Sequence, residues 1–88
     1  VDATIGLTDG IHVHALLHPD DLVNGGVMLV MRQVEKAHRG RDQVSIHEAL
    51  SVDEKHLQDA DRIWLPGHRV AAVIFGAPPR SRRPVGFA

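Results

Sequence analysis

His12 and His14 stand two residues apart in the run Ile11-His12-Val13-His14-Ala15-Leu16-Leu17. At that spacing an extended strand projects both imidazoles from one face, and two imidazoles so held can converge on one zinc, copper or nickel ion. His18, His47 and Glu48 are the candidates for a third ligand. The plainer alternative is a pair of histidines on a solvated strand face. A dedicated metal motif needs a third and fourth ligand at diagnostic spacing. The chain does not show them, so neither a native metal nor any other cofactor is expected, and His12 and His14 remain the pair to watch.

Other chemistry is sparse. The serines Ser45, Ser51 and Ser81 are not in a Gly-x-Ser-x-Gly elbow, and Gly25-Gly26 lacks the Lys and Ser/Thr that complete a phosphate-cradling loop. Glu48, Asp53, Glu54, Asp59 and Asp61 lie in a polar stretch of the kind that forms a solvated surface. With no cysteine, thiol nucleophiles and thiolate metal sites are excluded. The expectation is that the protein is not an enzyme. His68 and Arg69, beside Pro66-Gly67, offer planar groups that can stack on an unpaired base, or are simply exposed turn residues. Trp64 is the only indole and reads as a core or interface anchor.

Ten Lys and Arg against eleven Asp and Glu give a formal net charge of −1, which provides no global field for a nucleic-acid backbone. Basic residues do cluster locally, as Arg32, Lys36, Arg39 and Arg41, and as Arg80, Arg82 and Arg83. Seven histidines make the surface more positive below about pH 6.5. No apolar run approaches the roughly 20 residues of a membrane span, and no secretory leader is recognisable. The expectation is a cytoplasmic protein without membrane contact. Its 88 residues allow one small core, and exposed strand edges at this size favour pairing between copies, so a homo-oligomer is expected.

The elements that must position these residues read mainly as strands. Thr4 to Leu7 and Ile11 to Leu17 flank Asp9-Gly10, a strong hairpin signal because Gly accepts the positive φ of a tight reversal. In the second strand Ile11, Val13 and Ala15 share one face, and His12, His14 and Leu16 the other. Asn24-Gly25-Gly26 forms a turn into Val27 to Val34, read as one strand. Val44 to Val52 fits both strand alternation and short capped helices, with a loop or short helix favoured over Ser51 to Gln58. Arg62 to Leu65 and Arg69 to Phe75 read as strands joined by the tight Pro66-Gly67 turn. Residues 1–76 are the domain, and 77–88 a Pro- and Arg-rich tail expected to be disordered.

These motifs, in this order, resemble the Sm-like family. Asp9-Gly10 followed by Asp20-Asp21-Leu22-Val23-Asn24 is similar to its first motif, and Leu65-Pro66-Gly67-His68-Arg69-Val70 to its second. The resemblance implies an all-β fold, a small, strongly bent five-stranded SH3-like or Sm-like barrel with room for one short helix. It also implies a non-enzymatic module that assembles into a ring and binds single-stranded RNA. Asn24 would then face the pore and read a base edge, with His68, Arg69 and Arg32 as further RNA contacts. Leu22 stands at the base-stacking position and Pro66 replaces the arginine before Gly67, so the base pocket would be altered. The other functions open to such a domain are a structural or protein-interaction module and a histidine-based metal binder.

Overall fold

The Asp9-Gly10 reversal forms as the sequence requires. Gly10 has φ +90°, its amide donates to the Leu7 carbonyl at 3.1 Å, and the Asp9 carboxylate accepts from the Ile11 amide at 3.3 Å. This turn joins β1 (Asp2–Leu7) to β2 (Ile11–Leu16) in antiparallel register, Thr4 opposite His14 and Gly6 opposite His12. The computed structural model describes residues 1–76; the tail expected at 77–88 lies outside the described residues.

After a 3₁₀ turn at Pro19–Asp21, the chain forms β3 (Val27–Val30), a second 3₁₀ turn (Met31–Gln33), β4 (Val34–Arg39) and β5 (Asp42–Val44). Two short helices follow, α1 (Ile46–Leu50) and α2 (Glu54–Asp59). Then come β6 (Arg62–Leu65), a 3₁₀ turn at Gly67–Arg69, and β7 (Val70–Phe75). Five strands form one sheet in the order β5-β4-β2-β1-β7, and β3 pairs with β6 in a separate sheet of two.

The all-β, Sm-like barrel is therefore not the fold. This is a mixed α/β domain with two open sheets, in which β5 and β7 are the margins of the larger sheet and do not meet. Three local features account for the difference. The run Val27 to Val34 is not one strand, because the Met31 amide donates to the Asp61 carbonyl at 2.9 Å and the 3₁₀ turn there carries the chain from one sheet to the other. Ser45 to Asp59 contributes two helices where the barrel had room for one. Ser51 ends α1 in the left-handed region at φ 59°, and its amide bonds back to the Glu48 and His47 carbonyls. At Pro66-Gly67, finally, the chain changes sheet, so β6 and β7 do not form a hairpin: β6 pairs with β3, and β7 with β1. The ring of copies implied by the resemblance falls with the barrel.

One face of the larger sheet builds the core. Ala3, Ile5 and Leu7 of β1, Ile11, Val13 and Ala15 of β2, and Ala37 of β4 are buried against Val27 and Leu29 of β3, Leu65 of β6, and Ala49 and Leu50 of α1. The period-two alternation that directs these side chains inward sends their neighbours to the opposite face. That face carries Thr4 and Gly6 of β1, His12 and His14 of β2, Lys36 and His38 of β4, Gln43 of β5, and Ala72 and Ile74 of β7, placed by the cross-strand register.

Candidate functional site

Two features of the larger sheet could carry function: the histidine cluster on its outer face and the free margin at β7. The cluster arises where β2 meets β4. His12 stands directly opposite His38 and His14 opposite Lys36, and Glu35 is the extra residue of a β-bulge, since Ala15 pairs with Val34. Two aligned strands thus bring three imidazoles together. The rings of His12 and His38 stack with centroids 5.4 Å apart, and those of His14 and His38 with centroids 4.9 Å apart. His14 Nε2 lies 2.8 Å from His38 Nε2. The remaining nitrogens of that pair also have partners: His14 Nδ1 lies 3.2 Å from Thr4 Oγ1, and His38 Nδ1 lies 2.9 Å from the Gly40 carbonyl oxygen. His12 Nδ1 is buried with no hydrogen-bond partner.

His14 and Thr4 are each 8 % exposed, the only buried polar residues among the described ones. Burial holds the His14 pKa below its ordinary value, reinforced by His38, Lys36 and His12 and opposed by Glu35. The sign for stability follows directly. The unfolded chain takes up a proton at this residue from about pH 6.5 downward and the folded chain only at lower pH, so acid favours the unfolded state. Stability is expected to fall as the pH drops below about 6.5, and this contribution levels off only below the folded-state pKa. Urea denaturation of the parent and of His14→Gln at a series of pH values checks it: the difference between the two should vary over that window, and a constant difference would refute the assignment.

The metal reading of His12 and His14 meets a specific obstacle. The two do share a strand face, but His14 turns its Nε2 to His38, and His18 instead accepts from the Asp20 amide at the start of the Pro19–Asp21 turn. Among the described residues no group of three or more His, Cys, Asp or Glu side chains is arranged to hold a metal ion. His38 is the member that sequence reasoning missed. Only the β2–β4 register places it beside His12.

The residues singled out for RNA fall at two places. Asn24 is exposed and left-handed at φ 53°, followed by Gly25 at φ 76°, in a turn closed by the Gly26 amide on the Val23 carbonyl at 2.9 Å. It faces no pore. The Gly67–Arg69 turn abuts this one, so His68 and Arg69 are its neighbours, and Trp64 clasps it by donating from Nε1 to the Val23 carbonyl at 3.0 Å. Arg32 sits at the other end of β3, exposed in the Met31–Gln33 turn. The structure does not bring the four together, and the RNA-binding role lapses with the barrel that implied it.

The margin at β7 is of a different kind. Its sequence, Val-Ala-Ala-Val-Ile-Phe, is apolar throughout, Ile74 is 56 % and Phe75 39 % exposed, and β1 is its one neighbour among the described residues. The Gly76 amide donates to the Asp2 carbonyl at 2.7 Å. Antiparallel alternation from that bond turns the backbone groups of Ile74 and Ala72 toward β1 and those of Val73 and Phe75 outward. Beside this margin lies an apolar cleft of about 260 Å³ lined by Leu22, Gly25, Gly26, Val27, Gly67, Val70 and Val73. The opposite margin, β5, is three residues long, carries Asp42 and Gln43, and offers no such surface. No helix among the described residues is long and apolar enough to cross a membrane. No protein-family model, curated protein or solved structure matches the chain.

Proposed function

We propose that this is a non-enzymatic protein-interaction domain that receives an extended segment of a partner protein along β7. The observation that carries the reading is an apolar edge strand with outward-facing backbone groups at Val73 and Phe75, bordered by the cleft under Val70 and Val73. Strand addition uses this pairing of features, with main-chain hydrogen bonds supplying affinity and a pocket for alternate side chains supplying specificity. Natural edge strands are commonly blunted by charge, proline or short length, and β7 has none of these.

Charge sets the character of the partner. His68 and Arg69 stand at the start of β7, so an antiparallel segment brings its C-terminal end beside them and benefits there from a carboxylate. A second copy's β7 contains no carboxylate and meets that requirement poorly. The fitting partner is a β-branched, apolar-alternating segment with an acidic residue at its C-terminal end.

The probe is the hexapeptide acetyl-Val-Thr-Val-Thr-Val-Glu-amide, added to the isotope-labelled chain. Amide hydrogen exchange at Val73 and Phe75 is expected to slow on binding. Phe75→Pro, which deletes one outward N–H at an edge that tolerates proline, should weaken binding about tenfold, whereas Phe75→Tyr should not; a lost hydrogen bond of about 1–1.5 kcal/mol corresponds to that factor. Protection elsewhere on the domain, or equal binding by Phe75→Pro, would refute the reading. Slowing that grows with protein concentration without peptide would identify a second copy as the occupant.

A further inference from the structure

The hydrogen-bonded chain from Thr4 through His14 and His38 to Gly40 can run in only one direction while both rings are neutral. Its end fixes it. The Gly40 carbonyl oxygen can only accept, so His38 Nδ1, 2.9 Å away, carries the hydrogen. A neutral imidazole has one N–H, which leaves His38 Nε2 as a lone pair. His14 Nε2, 2.8 Å from it, must therefore be the donor. His14 Nδ1 is then the acceptor, and the Thr4 hydroxyl at 3.2 Å donates to it. Every ring nitrogen of the two histidines is satisfied once, without charge.

We infer that His14 and His38 together form a single-proton site, a device on the outer face of the sheet that accepts one proton with all its hydrogen bonds intact and rejects a second. The first proton, taken from solvent, bonds to the His14 Nδ1 lone pair that had accepted from Thr4. The Thr4 hydroxyl then rotates from donor to acceptor, and His14 Nε2–H continues to donate to His38 Nε2. Passing the Nε2 proton across the 2.8 Å contact moves the charge to His38, which donates from Nδ1 to Gly40 and from Nε2 back to His14. Both positions of the charge keep three hydrogen bonds. A second proton would set N–H against N–H at the Nε2 pair, and the contact that joins β2 to β4 on this face would have to open.

The surroundings bear on the same balance from every strand. On β2, His12 presents a buried Nδ1 with no partner. On β4, Lys36 stands opposite His14, and the Glu35 carboxylate in the bulge opposes its effect. On β1 the residues directly opposite His14 and His12 are the uncharged Thr4 and Gly6, with the Asp2 carboxylate one same-face position beyond Thr4, and on β5 the uncharged Gln43 stands opposite His38. The positive groups act against a second charge more strongly than Glu35 can offset. Occupancy of β7 by a partner has no part in this balance.

The test is long-range proton–nitrogen correlation NMR on the full chain with ¹⁵N-labelled histidine, from about pH 8 to about pH 4, a range that spans the ordinary histidine pKa. At the alkaline end His38 should show a bare Nε2 and His14 a bare Nδ1. On acidification the two rings should share the uptake of one proton, with the second withheld until the native sheet signals disappear. A bare Nδ1 on His38 at the alkaline end, or two full and independent protonations in the folded chain, would overturn the proposal. Thr4→Val removes the acceptor of the charged state and should lower the midpoint of the first uptake by about 0.5–1 unit, as loss of a hydrogen bond to a charged form does. Thr4→Ser should restore it. An unchanged midpoint in Thr4→Val would overturn the assigned direction, and the tautomers of the unmodified chain decide the matter should that variant not fold.

Discussion

Replacing Gly26 by alanine is expected to cost about 3–5 kcal/mol, beyond the usual range for overpacking, because the obstruction is backbone. Gly26 is buried immediately before β3. A Cβ there would overlap the Leu65 carbonyl oxygen and lie 2.8 Å from Cε2 and Nε1 of Trp64. The indole can swing aside, though at the expense of its bond to the Val23 carbonyl. The carbonyl cannot move without disturbing the Val27–Leu65 pair that opens the smaller sheet. Thermal unfolding reads the result: at about 4–8 °C per kcal/mol for a domain of this size, the midpoint should fall by at least about 12 °C. A fall under about 4 °C would show that the chain at Gly26 and β6 approach less closely than described. Gly10→Ala provides the contrast, with φ +90° but open space around it, and should cost only about 1–2 kcal/mol of backbone strain.

Leu29→Ala is expected to cost about 2–5 kcal/mol. Leu29 is fully buried at 0 % exposure, on the strand that faces the larger sheet from the smaller one. It belongs to a buried cluster drawn from both sheets and α1, where close packing leaves little freedom to fill a cavity. Typical stabilities of about 0.05–0.15 kcal/mol per residue put a domain of this length near 4–11 kcal/mol, and the substitution removes a large part of that. The urea midpoint should fall accordingly. Ile74→Ala, at 56 % exposure, should shift it by no more than the roughly 0.5 kcal/mol typical of surface positions. Equal effects at the two positions would contradict the placement of the core.

How far the sequence could be read depended on the range over which each feature is determined. The β1–β2 hairpin was legible because Asp9-Gly10 specifies it locally, and the shared face of His12 and His14 because strand periodicity alone decides it. The partnership of His14 with His38 was not. It spans 24 positions in sequence and depends on a bulge at Glu35 that no local pattern announces. The continuous apolar run from Val27 to Val34 concealed the break at Met31–Gln33, since that turn is stabilised by the distant Asp61 carbonyl. Over Val44 to Val52 both periodicities were present, and the left-handed Ser51 that separates α1 from α2 has no strong signal in a residue other than glycine or asparagine. The barrel reading failed for the same reason on a larger scale. Short motifs report turns and edges, whereas closure depends on which strand ends meet.

The pairing of β1 with β7 bears on how the domain comes into being during biosynthesis. Residues Ala3 to Leu7 find their second neighbour only in residues 70–75, with the Gly76 amide completing the seam at Asp2. A nascent chain can assemble the local hairpin early, but it must emerge almost to the end of the described region before that seam can be sewn. Until then one flank of β1 is left without its partner, and translation pauses ahead of Val70 would prolong the period in which it is vulnerable.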